Sequence, residues 1–143
     1  MTSRVVVGID FSPTCKKALE RAAEWAQRLD VPLFALHVLQ EPGAAITTAG
    51  YALADPKWIQ ATEDHARATL KEWLAPHPGT MSEVVWGSAP EELLKRCDAD
   101  SLLVVGQKGR SPWERFLFGA TTSKVVAHAP CEVLVIPAAP KKV

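Results

Sequence analysis

The sequence predicts a doubly wound α/β domain, and three features carry that prediction. Four short apolar runs and one alternating run recur along the chain: Val5-Val6-Val7-Gly8-Ile9, Leu33–Leu39, Leu102-Leu103-Val104-Val105 and Val133-Leu134-Val135-Ile136 are apolar, and Met81–Trp86 alternates. Segments with apolar residues at helical spacing lie between them. Run and segment alternate strictly, β-α-β-α-β-α-β-α-β, which fits one parallel sheet with helices on both faces. Right-handed crossovers follow from strand and helix handedness.

The first run is nearly continuous Val and Ile, as suits a strand covered on both sides. Ser12 then stands as a natural N-cap, and Pro13 fits the first helical position. Cys15, Ala18, Leu19, Ala22, Ala26 and Leu29 form one apolar stripe behind them. The second run holds His37 among apolar neighbours, which reads as a satisfied core histidine. The next helix opens at Asp55-Pro56, turns Ile59, Thr62, Ala66, Leu70 and Trp73 inward, and stops before Pro76. Met81–Trp86 alternates, so it is expected at a more exposed edge of the sheet. Ser88-Ala89-Pro90-Glu91 has the pattern of a capping box, with Leu93, Leu94 and Cys97 behind it. A fourth helix is expected from about Ala120 to His128, ended by Pro130. His65 and His128 fall on exposed helix positions.

Length and composition bound the function. The chain has 143 residues, enough for one domain (1–143) with a real core. It is 48% hydrophobic and 22% charged, which rules out disordered and fibrous classes. Sixteen basic and sixteen acidic residues cancel, so no broad nucleic-acid-binding surface is expected. No basic-then-apolar leader and no apolar run of ~20 residues stands in the sequence, so a soluble cytoplasmic protein without membrane contact is expected. Cys15, Cys97 and Cys131 form no C-x-x-C pair and read as reduced thiols.

In a doubly wound sheet, ligands bind beyond the carboxyl ends of the strands. Two strand ends are unusual here. The first runs into Asp10, Phe11 and Ser12. The Asp10 carboxylate can accept from a ribose hydroxyl or hold a water or metal ion, or it can cap amides at the helix start; both readings stand. The fourth strand ends in Gly106-Gln107-Lys108-Gly109-Arg110-Ser111, and its long connection closes at Gly119-Ala120-Thr121-Thr122-Ser123. Glycines permit close backbone approach, and successive N–H groups in such loops form anion nests. The helix start after Gly119 favours phosphate. Lys108 and Arg110 add charge, and the hydroxyls of Thr121, Thr122 and Ser123 add donors. A glycine turn before a hydroxyl-capped helix would look the same. Between residues 106 and 128 the bases Lys108, Arg110, Arg115 and Lys124 face Glu114 alone, a net +3 balanced by the rest of the chain.

Several motifs are missing: G-x-G-x-x-G after a strand, G-x-x-x-x-G-K-[ST], G-x-S-x-G and histidine–cysteine metal spacing. The phosphate motifs of nucleotidyl transferases, H-x-G-H and S-G-G-x-[DS], are missing too.

The spacing Gly106-x2-Gly109-x9-Gly119 resembles the nucleotide-binding motif of universal stress proteins. So do Val104 to Pro137 throughout, the opening Val5-Val6-Val7-Gly8-Ile9-Asp10-Phe11-Ser12, and Leu36-His37-Val38. The resemblance covers nearly the whole chain, residues 40–54 excepted. It implies a five-stranded parallel sheet in order 3-2-1-4-5, of the adenine nucleotide alpha hydrolase-like type. It also implies a homodimer paired through the last strand, Val133 to Ile136. It implies ATP, with Mg²⁺ accompanying the nucleotide. Adenosine would lie near Ile9, Asp10 and Val38, and phosphates against Gly106, Gly109, Gly119, Ala120 and Thr121, with Val105, Arg110 and Thr122 also at the nucleotide site. One departure is Ala120, where the family has Ser or Thr; the lost hydroxyl donor is worth about 1 kcal/mol. The function so implied is a regulatory stress-response module that binds ATP, not a dedicated enzyme. The alternative is a nucleotide-independent dimeric interaction protein of the same fold.

Overall fold

In the computed structural model, the described residues are 1–40, 55–107 and 120–138. Among them, strands and helices alternate as β1 (Arg4–Gly8), α1 (Pro13–Leu29), β2 (Leu33–Leu39), α2 (Pro56–Leu74), β3 (Met81–Trp86), α3 (Ala89–Lys95), β4 (Ser101–Gly106), α4 (Ala120–His128) and β5 (Glu132–Ile136). Every strand pair is parallel and the order is β3-β2-β1-β4-β5. Val6 of β1 stands beside Phe34 of β2 and Leu103 of β4, which centres the sheet on the first strand. The order reverses between β1 and β4. The alternating strand β3 takes one edge, as its exposed Met81 suggests.

Strand periodicity sorts the core into two layers. Val5, Val7, Ala35 and Val104 face one side, against Ala18, Leu19, Ala22 and Ala26 of α1 and Leu70 of α2. Val6, Leu36, Leu103 and Val105 face the other, against Leu93 of α3 and Val125 of α4.

The helix starts and stops follow local chemistry. Ser12 Oγ accepts from the Cys15 amide at 3.2 Å and caps α1. Asp55 does the same for α2, accepting from the Lys57 amide at 2.9 Å. The end of α1 corrects the sequence reading: Leu29 is 40% exposed, not part of the buried stripe. Asp30 turns left-handed at φ 53°, its amide donates to Gln27 O, and the Val31 amide donates to Ala26 O. That closing turn swings Val31 onto the core in place of Leu29. A second correction concerns α3, because Ser88 stands at the N-cap but makes no side-chain capping bond. Pro90 occupies the second helical position, so one of the two amides a capping hydroxyl can serve does not exist.

Instead, α3 is tied to the sheet edge at its other end. Arg96 donates to both oxygens of Glu83 on β3, at 2.8 and 3.1 Å, and to Glu92 at 2.9 Å. These bonds hold the Glu83 carboxyl below its ordinary value of 4.5. A lowered carboxylate contributes stability that is complete above the ordinary value and is lost as pH falls through the lowered one. Glu83 is 44% exposed, so solvent screening keeps its share below ~1 kcal/mol. Arg96→Met is therefore expected to be less stable than wild type at pH 7, with the gap narrowing towards pH 3. Urea midpoints at the two pH values check this, and an unchanged gap would assign Arg96 to packing alone.

No helix among the described residues is long and apolar enough to cross a membrane.

Candidate functional site

The carboxyl ends of β1 and β4 diverge at the point where the strand order reverses, and a cavity of about 280 Å³ opens there. That is the small end of the range for ligand pockets, ~300–1,000 Å³. A wider hollow of about 650 Å³ lies at the opposite end of β3, among Arg67, Lys71 and residues 77–80. No two strands part there, so it lacks the crevice that serves ligands in such sheets.

The floor is built from β1, β4 and the first turn of α1. Gly106 lets α1 approach β4: a Cβ there would meet the Thr14 methyl at 3.1 Å and the Cys15 amide nitrogen at 3.5 Å. Gly8 lets Leu93 of α3 close over β1, since its Cβ would meet Leu93 side-chain carbons at 3.1 and 3.2 Å. Ala89 and Leu93 line the cavity from α3, Leu36 and Val38 from β2, and Thr121 and Thr122 from α4.

The β1–α1 turn presents Asp10 to this cavity. Asp10 Oδ1 accepts from the Ser12 amide at 2.9 Å. That bond closes the turn before α1, whose cap is Ser12 rather than Asp10, and the carboxylate stands at the solvent-exposed cavity wall. Cys15 Sγ accepts from the Asp10 amide at 3.4 Å and donates to Gly8 O at 3.5 Å. Burial, with the Asp10 charge second, pushes the Cys15 thiol up to about 12, so it stays protonated and donates. The Ile9 amide donates to Leu36 O at 2.9 Å, and His37 Nδ1 lies 2.7 Å from Ile9 O. Phe11 adopts φ 62°, a left-handed conformation costing a bulky residue ~1–3 kcal/mol. Its ring packs on His37 at 4.4 Å and edge-on to Trp73 at 5.4 Å, which offsets that cost.

Of the residues expected at a site, Ile9, Asp10, Val38, Val105, Gly106, Thr121 and Thr122 line this one cavity. Thr122 is buried and its hydroxyl donates to Gly106 O at 3.3 Å, so it offers a ligand lone pairs first. Ala120 opens α4. Gly109, Arg110 and Gly119 lie outside the described residues. Sequence reading missed Gly8, Cys15, Leu36, His37, Gln40, Ala89 and Leu93 as lining residues. The two-residue period that pairs Leu36 with Val38 could have found Leu36; nothing local marks Ala89 or Leu93, which arrive through a crossover. No cluster of three metal-ligating side chains exists among the described residues. Chemically, the cavity offers an apolar slot, one carboxylate, backbone at a Cβ-free position and the Thr121 hydroxyl at a helix start, which suits a nucleoside with phosphate.

Comparison with known proteins agrees with this architecture. The universal stress protein family matches residues 1–137. A universal stress protein of Mycobacterium tuberculosis is 29% identical over 141 residues; the match covers 92% of this chain and 46% of that protein, so the chain spans about half its length. The solved universal stress protein UspA from Lactobacillus plantarum is 28% identical with TM-score 0.68, covering 94% of this chain and 97% of that one. The universal stress protein from Archaeoglobus fulgidus, solved in complex with dAMP, shares the fold at 20% identity and TM-score 0.61, covering 94% and 97%.

Proposed function

The chain belongs to the universal stress protein family, and on that premise we propose that it is a regulatory module that binds an adenine nucleotide, ATP with its Mg²⁺, and works as a cytoplasmic homodimer. One observation carries the reading. The two strand ends that stand out in the sequence, at Asp10 and at Gly106, line the same cavity at the switch point of the sheet. Parallel α/β sheets place nucleotides at such points.

The residues fit that ligand. Asp10 would accept from ribose hydroxyls, Leu36 and Val38 would face the base, and the Cβ-free Gly106 and the α4 start would take phosphate. The relative from Archaeoglobus fulgidus holds dAMP, which supports an adenine nucleotide in the corresponding fold. The role proposed is binding, with release and capture of nucleotide altering a surface that a partner protein reads. Strand β5 ends the sheet on the side away from β3, and its outer edge would pair two copies through Val133 to Ile136.

A second reading, a nucleotide-independent dimeric interaction protein, is favoured by Ala120 and by the commitment of the Thr122 hydroxyl to Gly106 O. Calorimetric titration separates the two. Saturable heat with ATP–Mg²⁺ or AMP, and a rise in melting temperature, are expected on the first reading. No heat and no thermal shift at millimolar nucleotide, with dimer mass intact, would establish the second.

A further inference from the structure

The bond from His37 to the β1–α1 turn supports a further inference, which rests on the nucleotide-binding reading above. We propose that His37 is a positioning residue: it holds Asp10 at the cavity wall by gripping the residue on either side of it.

On one side the grip is polar. Ile9 O can only accept, so the His37 nitrogen 2.7 Å away must carry the proton, which fixes Nδ1–H as donor. The bond is buried and spans 28 positions in sequence, so it ties β2 to a turn that local chemistry alone would leave looser. On the other side the grip is a ring contact. Phe11 sits at φ 62°, which a bulky residue keeps only when its surroundings over-determine it. Its ring lies 4.4 Å from the His37 ring and 5.4 Å from Trp73. Asp10 is the residue between these two anchors. With its own amide bonded to Cys15, its backbone has little freedom left. The carboxylate is thus set in place before a ligand arrives, and pre-organisation of this kind raises affinity by removing an ordering cost from binding.

Two substitutions separate the donor from the ring. His37→Phe keeps a ring for Phe11 and deletes the donor. His37→Asn places an amide N–H where Nδ1–H was and removes the ring. With AMP as probe, His37→Phe is expected to bind about tenfold more weakly than wild type, and His37→Asn to recover part of that loss. In protein without nucleotide, amide exchange at Asp10, Phe11 and Ser12 is expected to speed up in His37→Phe, with Val6 and Leu103 unchanged. Wild-type affinity in His37→Phe, or unchanged exchange at the turn, would overturn the proposal. If wild type binds no adenine nucleotide, the functional reading fails by itself, and the exchange comparison still decides whether His37 positions the turn. Should His37→Phe not fold, nitrogen-15 spectra of wild-type His37 decide: a protonated Nδ1 supports the proposal and an unprotonated one ends it.

Discussion

Gly106→Val is expected to destabilise the protein by about 1–3 kcal/mol and to weaken nucleotide binding more than tenfold. The reason lies in what a side chain meets at that position. A Cβ alone would stand 3.1 Å from the Thr14 methyl, 3.4 Å from the Thr14 carbonyl carbon and 3.5 Å from the Cys15 nitrogen. The methyl can swing aside, so Gly106→Ala should be mild. The two backbone atoms belong to the first turn of α1 and move only with the helix. Valine adds two more carbons against them, and relief requires lifting α1 off β4 at the cavity floor. The Ser12 cap and the Cys15 bonds to Gly8 and Asp10 sit on that same turn and would shift with it. Thermal unfolding measures the first effect and calorimetric titration the second. A valine variant as stable and as tight-binding as wild type would mean that α1 does not form the cavity floor.

Leu103→Ala, at a position that does not itself line the cavity, should cost about 2–5 kcal/mol. Leu103 is fully buried in the middle of β4 and packs in the cluster with Val6, Leu36, Leu93, Val105 and Val125. Removing most of its side chain there forfeits transfer free energy and leaves a void between sheet and helices. Domains of this size are stable by ~5–15 kcal/mol, so the loss is a large share of the total. The melting temperature should fall by roughly 6–15 °C. Leu29→Ala is the control: the same residue type, 40% exposed at the last position of α1, should change stability by ~0.5 kcal/mol or less. Equal effects at the two positions would contradict the layered core.

Much of this contrast was legible from residue order. The runs at Leu33–Leu39 and Met81–Trp86 are strands with those bounds, while β1 begins one residue before its apolar run and β4 extends one residue beyond its run at each end. Strand signals are strong here because uninterrupted Val, Ile and Leu leave few other ways to bury apolar surface. Ser12-Pro13 and Asp55-Pro56 marked two helix starts correctly, since cap and proline act over two or three residues. At Ser88 the same local logic placed the helix start but not the capping bond, since Pro90 lacks one of the two amides a cap can serve, and at Leu29 it failed because the closing turn chose Val31. Pro90 acts locally, two residues on and readable in the sequence, whereas the exchange of Leu29 for Val31 depends on which residue the closing turn sets against the core.

By itself the sequence determined the class of fold, the strand at the exposed edge and the two strand ends that line the cavity. Those are consequences of periodicity and of single-residue backbone preferences, which act within a few positions. Tertiary structure alone brought Leu93, 83 positions beyond Asp10, to the cavity that Asp10 and Gly106 share. It also decided that His37 and Phe11, 26 positions apart, meet around Asp10. Contacts of that kind depend on which strands pair and which face a crossover helix covers, and pairing is settled by the burial of the whole sheet rather than by any stretch of chain.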